Sequence, residues 1–220
     1  MLRALIFDMD GVLVDSMSYH TRAMAHVFSQ MGIRMNKQDI YDLEGSKTVD
    51  IVCVLLKKDG VDPTTIDLEG LLQRYQEEFD RIVEMKVFDE LTSILPTLKH
   101  HYLLALVSGA DRVIVHDIVR RLFPSTFDVV ITGEDLTHGK PAPDPFLRAA
   151  EVLGVDKEEC LVVENAPMGV ESAKRAGMFC VAVPTYVDKD MLRSADIILD
   201  DHRELAEYLL GLEHSGTPDR

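Results

Sequence analysis

The sequence predicts an α/β protein: a Rossmann-like parallel sheet flanked by helices, with an all-helical cap domain inserted after the first strand. The first observation is the short, nearly continuous apolar run at residues 2–7, which is typical of a strand buried on both faces. The second is the helix-like segment that follows it, and the third is the alternation of strands and helices after Phe88. We therefore expect an α/β core of residues 1–16 and 87–220 and a helical cap of residues 17–86.

The cap segment carries apolar residues at helical spacing, such as Ala23, Val27 and Met31, and it contains no convincing strand pattern. Gly32 is a natural end for the first of these runs. The spacing predicts helices at residues 23–31, 39–43, 47–58 and 71–83.

The rest of the chain alternates strand-like and helix-like runs, and repeated units of this length favour a parallel sheet covered on both faces. Asp144 followed by Pro145 is typical of a helix N-cap and first turn. Strands are predicted at residues 102–107, 127–132, 161–163, 179–183 and 197–199. Helices are predicted at residues 91–100, 111–122, 144–153, 168–176 and 203–212.

The composition indicates an ordinary globular chain with a strongly acidic balance. It has 220 residues, 46% of them apolar and 28% charged, and its formal net charge is −15. This charge disfavours nucleic acids and anionic membranes as partners. A site for a phosphorylated ligand must therefore be locally positive or hold a metal ion.

The cysteine pattern indicates reduced thiols. Cys53, Cys160 and Cys180 are widely spaced and odd in number, so they suggest neither a zinc site nor a disulfide framework. The first apolar run is too short for a signal peptide, and no segment approaches the roughly 20 apolar residues that span a bilayer. We expect a cytoplasmic monomer or weak homodimer.

Two carboxylates stand directly at the end of the first predicted strand. Asp8 and Asp10 are spaced i, i+2, and Gly11 after them can turn the chain. The carboxyl end of a buried parallel strand is where ligands bind in open α/β sheets. Two acids there repel each other unless a cation or a shared proton intervenes. The alternative is that both only cap and solubilise a loop.

Further polar residues follow later strands. Ser108 and Gly109 lie where a strand passes into a helix, an arrangement that can bind anions, although serine there often only caps the helix. Lys140 lies in a loop stiffened by prolines, although a lone lysine is usually a solvated surface charge. Glu164 and Asn165 follow the predicted strand at residues 161–163.

These motifs resemble those of the haloacid dehalogenase superfamily, in its phosphatase and phosphomutase branch. Residues 8–16 (Asp-Met-Asp-Gly-Val-Leu-Val-Asp-Ser) resemble the first motif, residues 139–144 the third and residues 161–170 the fourth. The resemblance covers essentially the whole chain, strongly in the core and weakly in the cap. It also implies a helical cap inserted after the first strand.

Assembled, the motifs predict a phosphoryl-transfer site. Asp8 is the candidate nucleophile, which would form an aspartyl phosphate, and Asp10 is the candidate general acid and base. Phosphate binding is assigned to Ser108, Gly109 and Lys140. The presence of Asp10 favours transfer from an alcohol over carbon–halogen cleavage, because a halide leaving group needs no proton.

The resemblance implies a Mg²⁺ site made by Asp8, the backbone carbonyl of Asp10 and Asn165, with Glu164 acting directly or through water. Related sequences usually carry two acids where this chain has Glu164 and Asn165. An amide oxygen can coordinate Mg²⁺ but adds no negative charge. We expect weaker Mg²⁺ affinity, and we expect Asn165→Asp to tighten it. Asn165 is alternatively a structural turn residue.

We predict a Mg²⁺-dependent phosphatase for a small phosphorylated metabolite, such as a sugar or polyol phosphate. The alternatives are a β-phosphoglucomutase-type mutase and a phospho-acceptor module without turnover. His20 and the loop at residues 44–48 resemble segments of β-phosphoglucomutases, and we assign substrate binding to His20 and Lys47. Lys47 replaces an arginine of those enzymes, so a bidentate phosphate contact is in doubt. His20 is alternatively a hydrogen-bonded structural residue facing the cleft.

Overall fold

The fold is built around a six-stranded, wholly parallel sheet with the strand order β3-β2-β1-β4-β5-β6. The computed structural model describes residues 1–84 and 86–215, and side chains as far as residue 212. The strands are β1 (Ala4–Asp8), β2 (Leu103–Val107), β3 (Val129–Ile131), β4 (Cys160–Glu164), β5 (Phe179–Ala182) and β6 (Ile197–Ile198). The predicted fold class is confirmed.

Helices cover both faces of the sheet and fill the segment between β1 and the second strand. They are α1 (Met17–Gln30), α2 (Lys37–Tyr41), α3 (Thr48–Lys58), α4 (Leu68–Ile82), α5 (Asp89–Thr92), α6 (Leu95–His101), α7 (Arg112–Leu122), α8 (Asp144–Leu153), α9 (Pro167–Ala176) and α10 (His202–Ser215).

Strand β1 lies at the centre of the sheet and is buried along its whole length. It pairs with β2 on one side and with β4 on the other. Alternate side chains enter different layers: Leu5 and Phe7 pack in the layer that contains Leu205 of α10, whereas Ala4 and Ile6 face Phe146 of α8. Burial on both faces explains why β1 is a continuous apolar run rather than an alternating one.

Helices α1 to α4 form the helical cap, and none of the six strands lies in this segment. The two chain segments that connect it to the core run side by side. The Asp15 N–H donates to the Lys86 carbonyl at 2.9 Å, and the Phe88 N–H donates to the Leu13 carbonyl at 3.0 Å. The domain boundaries at 16/17 and 86/87 stay predictions, and Met85 lies outside the described residues.

The helix predicted at residues 91–100 is wrong as a single element, because the chain forms α5 and α6 there. Pro96 stands in the first turn of α6, where its missing N–H is tolerated. A continuous helix would place the proline ring against the preceding turn. The N-cap expected at Asp144 is also wrong: Pro143 holds that position and Asp144 is the first helical residue.

Among the described residues, no helix has the length and apolar character needed to cross a membrane.

Candidate active site at the carboxyl edge of the sheet

Three neighbouring strands bring the predicted site residues to one edge of the sheet. Strand β1 ends at Asp8, which is paired in register with Val107, and Ser108 follows directly. On the other side of β1, strand β4 ends at Glu164 and is followed by Asn165. This edge lies where the chain connections diverge from β1, the position at which open α/β sheets bind ligands.

Lys140 contacts both of the neighbouring carboxylates. Its Nζ forms an ion pair with Asp8 and donates to Glu164 Oε1 at 2.7 Å, and its side chain is 1% exposed. Burial lowers the pKa of Lys140, but the carboxylates of Asp8 and Glu164 outweigh it and the net shift is upward. Burial raises the pKa of Asp8, and the Lys140 ammonium opposes that shift. Lys140 is therefore a fixed buried cation beside the predicted nucleophile.

Glu164 holds Lys140 and the turn after β4 together. Its Oε2 accepts the backbone N–H groups of Asn165 and Ala166 at 2.8 and 3.1 Å, while its Oε1 accepts from Lys140. The glycine at position 169 makes room for this, since a Cβ there would overlap the carboxyl group. Both oxygens are occupied by donors, which favours the water-mediated version of the predicted metal contact.

Asp10 accepts hydrogen bonds from three side chains. Ser16 Oγ and Ser108 Oγ donate to its two oxygens, the latter at 3.2 Å, and His20 Nε2 lies 3.2 Å from Oδ1. Burial alone would raise the pKa of Asp10, but His20 and these hydrogen bonds lower it below its usual value. In this state Asp10 is a carboxylate, the form of a general base.

His20 links Asp10 to the helical cap. Its Nδ1 lies 2.5 Å from the Tyr75 hydroxyl of α4, and its ring stacks on Phe79 with a centroid separation of 4.2 Å. The position of His20 is therefore compatible with both interpretations, a substrate-binding residue and a hydrogen-bonded structural residue, because it is buried and hydrogen-bonded and also faces the site. The sequence did not predict Tyr75 as a site residue, because a tyrosine at helical spacing is typical of a core residue.

The loop at residues 44–48, here called the cap loop, covers this edge of the sheet. The Thr48 N–H donates to the Gly109 carbonyl at 3.3 Å, and Ser46 Oγ donates to the Lys140 carbonyl at 3.3 Å. Gly109 permits this approach: a Cβ there would lie 2.6 Å from the Gly45 carbonyl oxygen and closer still to that of Ser46. The cap is therefore closed on the core.

Glu44 of the cap loop, like Tyr75, is a site residue that the sequence did not predict. It is 2% exposed, and its Oε1 accepts a hydrogen bond from Asn165 Nδ2 at 2.7 Å. Burial raises the pKa of Glu44, and the Asn165 hydrogen bond opposes the shift. No local pattern distinguishes it from other polar loop residues, because its burial depends on how the cap sits on the core.

Lys47 contacts the core beside the site, and its predicted contact with substrate stays a prediction. Its Nζ donates to the Leu136 carbonyl at 2.8 Å, and its aliphatic chain covers Gly139. The side chain thus fastens the cap loop to the core. Gly109 lies directly beneath the cap loop, and its predicted contact with phosphate stays a prediction.

A cavity of about 50 Å³ lies between the cap and the sheet edge. A water molecule needs roughly 10–15 Å³ of cavity volume, so the cavity can hold a few waters. Metabolite pockets are larger, at about 300–1,000 Å³. No lysine or arginine occurs among the described residues that line it. They are Asp8, Asp10, Met17, His20, Met24, Ile40, Glu44, Gly45, Ser46, Thr48, Ile51, Tyr75, Gly109 and Ala110.

The donor set fits Mg²⁺, which prefers carboxylate, carbonyl and amide oxygens. Asn165 Oδ1 and Glu44 Oε2 are buried and have no hydrogen-bond partner among the described residues. Leaving such an atom unpaired costs about 1–3 kcal/mol, a cost that a nearby cation relieves. No three His, Cys, Asp or Glu side chains converge as a metal site in the described part of the chain. A Mg²⁺ ion at this edge would therefore need the amide oxygen and a backbone carbonyl as ligands.

Comparison with curated proteins finds relatives over most of the chain. SUPPRESSOR OF QUENCHING 1 of Arabidopsis thaliana is 32% identical over 90% of this chain, which spans only 19% of that protein's length. Fructose-1-phosphate phosphatase YqaB of Escherichia coli is 29% identical over 81% of this chain and 95% of its own length. The β-phosphoglucomutase of Bacillus subtilis is 27% identical over 95% and 94%, respectively.

Among solved structures, the β-phosphoglucomutase from Clostridium difficile matches with a TM-score of 0.83. It is 23% identical, and the match covers 98% of this chain and 99% of that one. At this identity the likeness shows the shared fold alone. The family model described as haloacid dehalogenase-like hydrolase matches residues 5–183. Because this match spans most of the chain and includes the three strand ends of the site, the chain belongs to the haloacid dehalogenase-like hydrolase family.

Proposed function

We propose that this chain is a Mg²⁺-dependent phosphomonoester phosphatase that acts on a small phosphorylated metabolite. The observation that carries the proposal is the buried Lys140 ammonium held between Asp8 and Glu164, with Asp10 on the same strand end. A fixed cation at a carboxylate suits a reaction in which negative charge accumulates. The names of the relatives, which include a fructose-1-phosphate phosphatase, support the same class of substrate.

Asp8 acts as the nucleophile. One of its carboxylate oxygens forms a bond to phosphorus while the bond from phosphorus to the alcohol oxygen breaks, which leaves an aspartyl phosphate and an alkoxide. Lys140 and the Ser108 hydroxyl bind phosphoryl oxygens and offset their charge. Asp8, the Asp10 carbonyl and Asn165 would hold Mg²⁺, which would supply positive charge to neutralise and orient the phosphoryl group.

Asp10 acts first as an acid and then as a base. The dianionic phosphate of the substrate brings negative charge next to its carboxylate, which favours protonation. Asp10 then gives that proton to the departing alkoxide. In the second step it removes a proton from the water that attacks the aspartyl phosphate, and Asp8 and inorganic phosphate are released. The hydrogen bond from His20 keeps its carboxylate in place.

The cavity favours hydrolysis over mutase chemistry. A phosphomutase must also hold a second phosphate group of its substrate, whereas Lys140, which we assign to the transferred phosphoryl group, is already paired with Asp8 and Glu164. Lys47 points to the Leu136 carbonyl instead. Glu44 adds a carboxyl group to the lining of the cavity, which disfavours a second phosphate group there. A cytoplasmic location and a monomeric or weakly dimeric state stay predictions.

The test is phosphate release from a panel of sugar and polyol phosphates with Mg²⁺, by the wild-type chain and by Asp8→Asn. We expect turnover of at least one substrate by the wild type, and loss of both turnover and phosphoenzyme trapping in the variant. Absence of phosphate release from every substrate would favour the phospho-acceptor module. Formation of glucose 6-phosphate from β-glucose 1-phosphate, with a bisphosphate primer, would favour the mutase.

A further inference from the structure

The Glu44–Asn165 hydrogen bond joins the helical cap to the end of β4. The two side chains are 2% and 0% exposed, and the bond length is 2.7 Å. Gly11 confines the amide from the other side: its φ is +86°, and a Cβ there would lie 2.8 Å from Asn165 Cγ. The amide is therefore enclosed between a cap carboxyl group and the turn after β1.

This contact determines which way the amide faces. Asn165 Nδ2 donates to Glu44 Oε1, so the amide nitrogen faces Glu44 and the amide oxygen faces away from it. That oxygen is buried and has no hydrogen-bond partner among the described residues. A terminal amide has two nearly equivalent orientations about its last torsion, and only one of them presents oxygen to a cation.

We propose that Glu44 is a positioning residue, which holds the Asn165 amide with its oxygen free for the divalent metal and so couples metal binding to cap closure. This rests on the metal-dependent function proposed above. Hydrogen-bond partners of metal ligands fix the ligand's orientation and affect metal affinity. Here the partner, Glu44, belongs to the cap, so the Asn165 amide loses this hydrogen bond when the cap opens. Metal bound to the closed form must in turn favour closure by the same factor.

With Glu44 beside position 165, Asn165→Asp is no longer expected simply to raise the affinity for Mg²⁺. An aspartate at this position would replace the amide donor by a second carboxyl group against Glu44, and the two carboxyl groups would repel each other when both are ionised. The gain in charge expected from the sequence is then offset. Removing the Glu44 charge as well, with Glu44→Gln, restores a donor that faces the new carboxylate at position 165. The double variant therefore keeps one carboxyl group and one amide group in contact at these two positions, with their places exchanged.

The experiment measures metal binding to the full chain without substrate, by calorimetry with Mg²⁺ and by electron paramagnetic resonance with Mn²⁺. We expect Glu44→Gln to weaken binding by about 10-fold or more, as found for partners of metal ligands. In the Asn165→Asp background the same substitution should tighten binding. Asp50→Asn, which removes the same charge from an exposed position of α3, is the matched control and should leave affinity unchanged.

A second readout follows cap closure. Mg²⁺ should slow proteolysis of the cap in the wild type and in Asp50→Asn, but not in Glu44→Gln. Equal metal affinities for Glu44→Gln and Asp50→Asn, or an effect of Glu44→Gln with the same sign in both backgrounds, would overturn the inference and leave the proposed phosphatase intact. If the wild type binds neither metal, the metal dependence of the proposed function fails, and this inference fails with it.

Discussion

At the residue scale, Lys140 is the side chain on which the electrostatics of the site depend. It is buried between Asp8 and Glu164, and it neutralises carboxylates that would otherwise repel each other. Such a buried cation is expensive to remove, because its partners are left charged and unpaired in a medium of low dielectric constant.

We expect Lys140→Met to lower the free energy of unfolding by about 3–5 kcal/mol, the cost of breaking a buried ion pair by removing one partner. Denaturant titration measures this. Lys58→Met is the control, because Lys58 forms an ion pair with Asp39 while 63% of its side chain is exposed, and its loss should cost less than about 1 kcal/mol. Equal losses for the two variants would show that the buried cation is not stabilising the site.

His202 supplies a prediction about pH. Its Nε2 donates to the Gly11 carbonyl at 3.1 Å, its ring stacks on Phe88, and it stands at the first residue of α10. Burial lowers the pKa of His202, and a positive charge at a helix N-terminus is also unfavourable. The folded state therefore prefers the neutral ring, so stability falls as the pH drops below the unfolded value of about 6.5.

The measurement is the free energy of unfolding of the wild type and of His202→Gln between about pH 7.5 and pH 5.5, a range that brackets the histidine pKa. The glutamine keeps an N–H donor for Gly11 but cannot gain a proton. We expect the variant to lose less stability over this interval. Parallel curves for the two proteins would contradict the assignment.

Some of the site residues are marked by a pattern in the neighbouring sequence, and others are not. Asp8, Ser108 and Asn165 each follow a buried apolar run, so their meeting at one sheet edge could be predicted from strand ends alone. Glu44 and Lys47 lie in the cap loop, whose placement depends on how two groups of helices and strands dock. That docking has no local pattern, so the sequence predicted neither Glu44 as a site residue nor the contact of Lys47 with the Leu136 carbonyl.

At the scale of elements, the strands and most helices were predictable because burial repeats along each of them. The break between α5 and α6 was not predicted, although Pro96 marks it in the sequence. The contact between the cap loop and the turn after β2 depends instead on a single small residue. Gly109 lets the carbonyl groups of Gly45 and Ser46 approach closely.

We expect Gly109→Ala to displace the cap loop, because the new methyl group would collide with backbone atoms rather than with a flexible side chain. Cap helices should then be cleaved faster by a protease, and turnover should fall by about 10-fold or more, as a small misplacement of catalytic groups produces. Gly211→Ala is the control, since no described residue outside the adjoining helix backbone comes within 4 Å of a Cβ at that position in α10. Unchanged proteolysis in Gly109→Ala would show that the loop tolerates the methyl group.

At the scale of the whole molecule, the net charge of −15 opposes the approach of any phosphorylated substrate. We expect kcat/KM at saturating Mg²⁺ to rise as monovalent salt increases from about 10 mM to about 150 mM, because the Debye length falls from ~30 Å to ~8 Å. A neutral salt series on the wild type measures this. A steady fall in kcat/KM would indicate instead that local positive potential steers the substrate.

The small cavity under the closed cap has a kinetic consequence. The cavity of about 50 Å³ is smaller than typical metabolite pockets, so we expect binding to require the cap to move away from the sheet edge. In a stopped-flow experiment the observed rate would then level off at high ligand concentration, at the rate constant for this gating motion. Any condition that stabilises the closed cap before the ligand arrives would reduce the fraction of protein molecules able to bind it, and so weaken the apparent affinity for the ligand. Under the role proposed for Glu44, excess Mg²⁺ is such a condition.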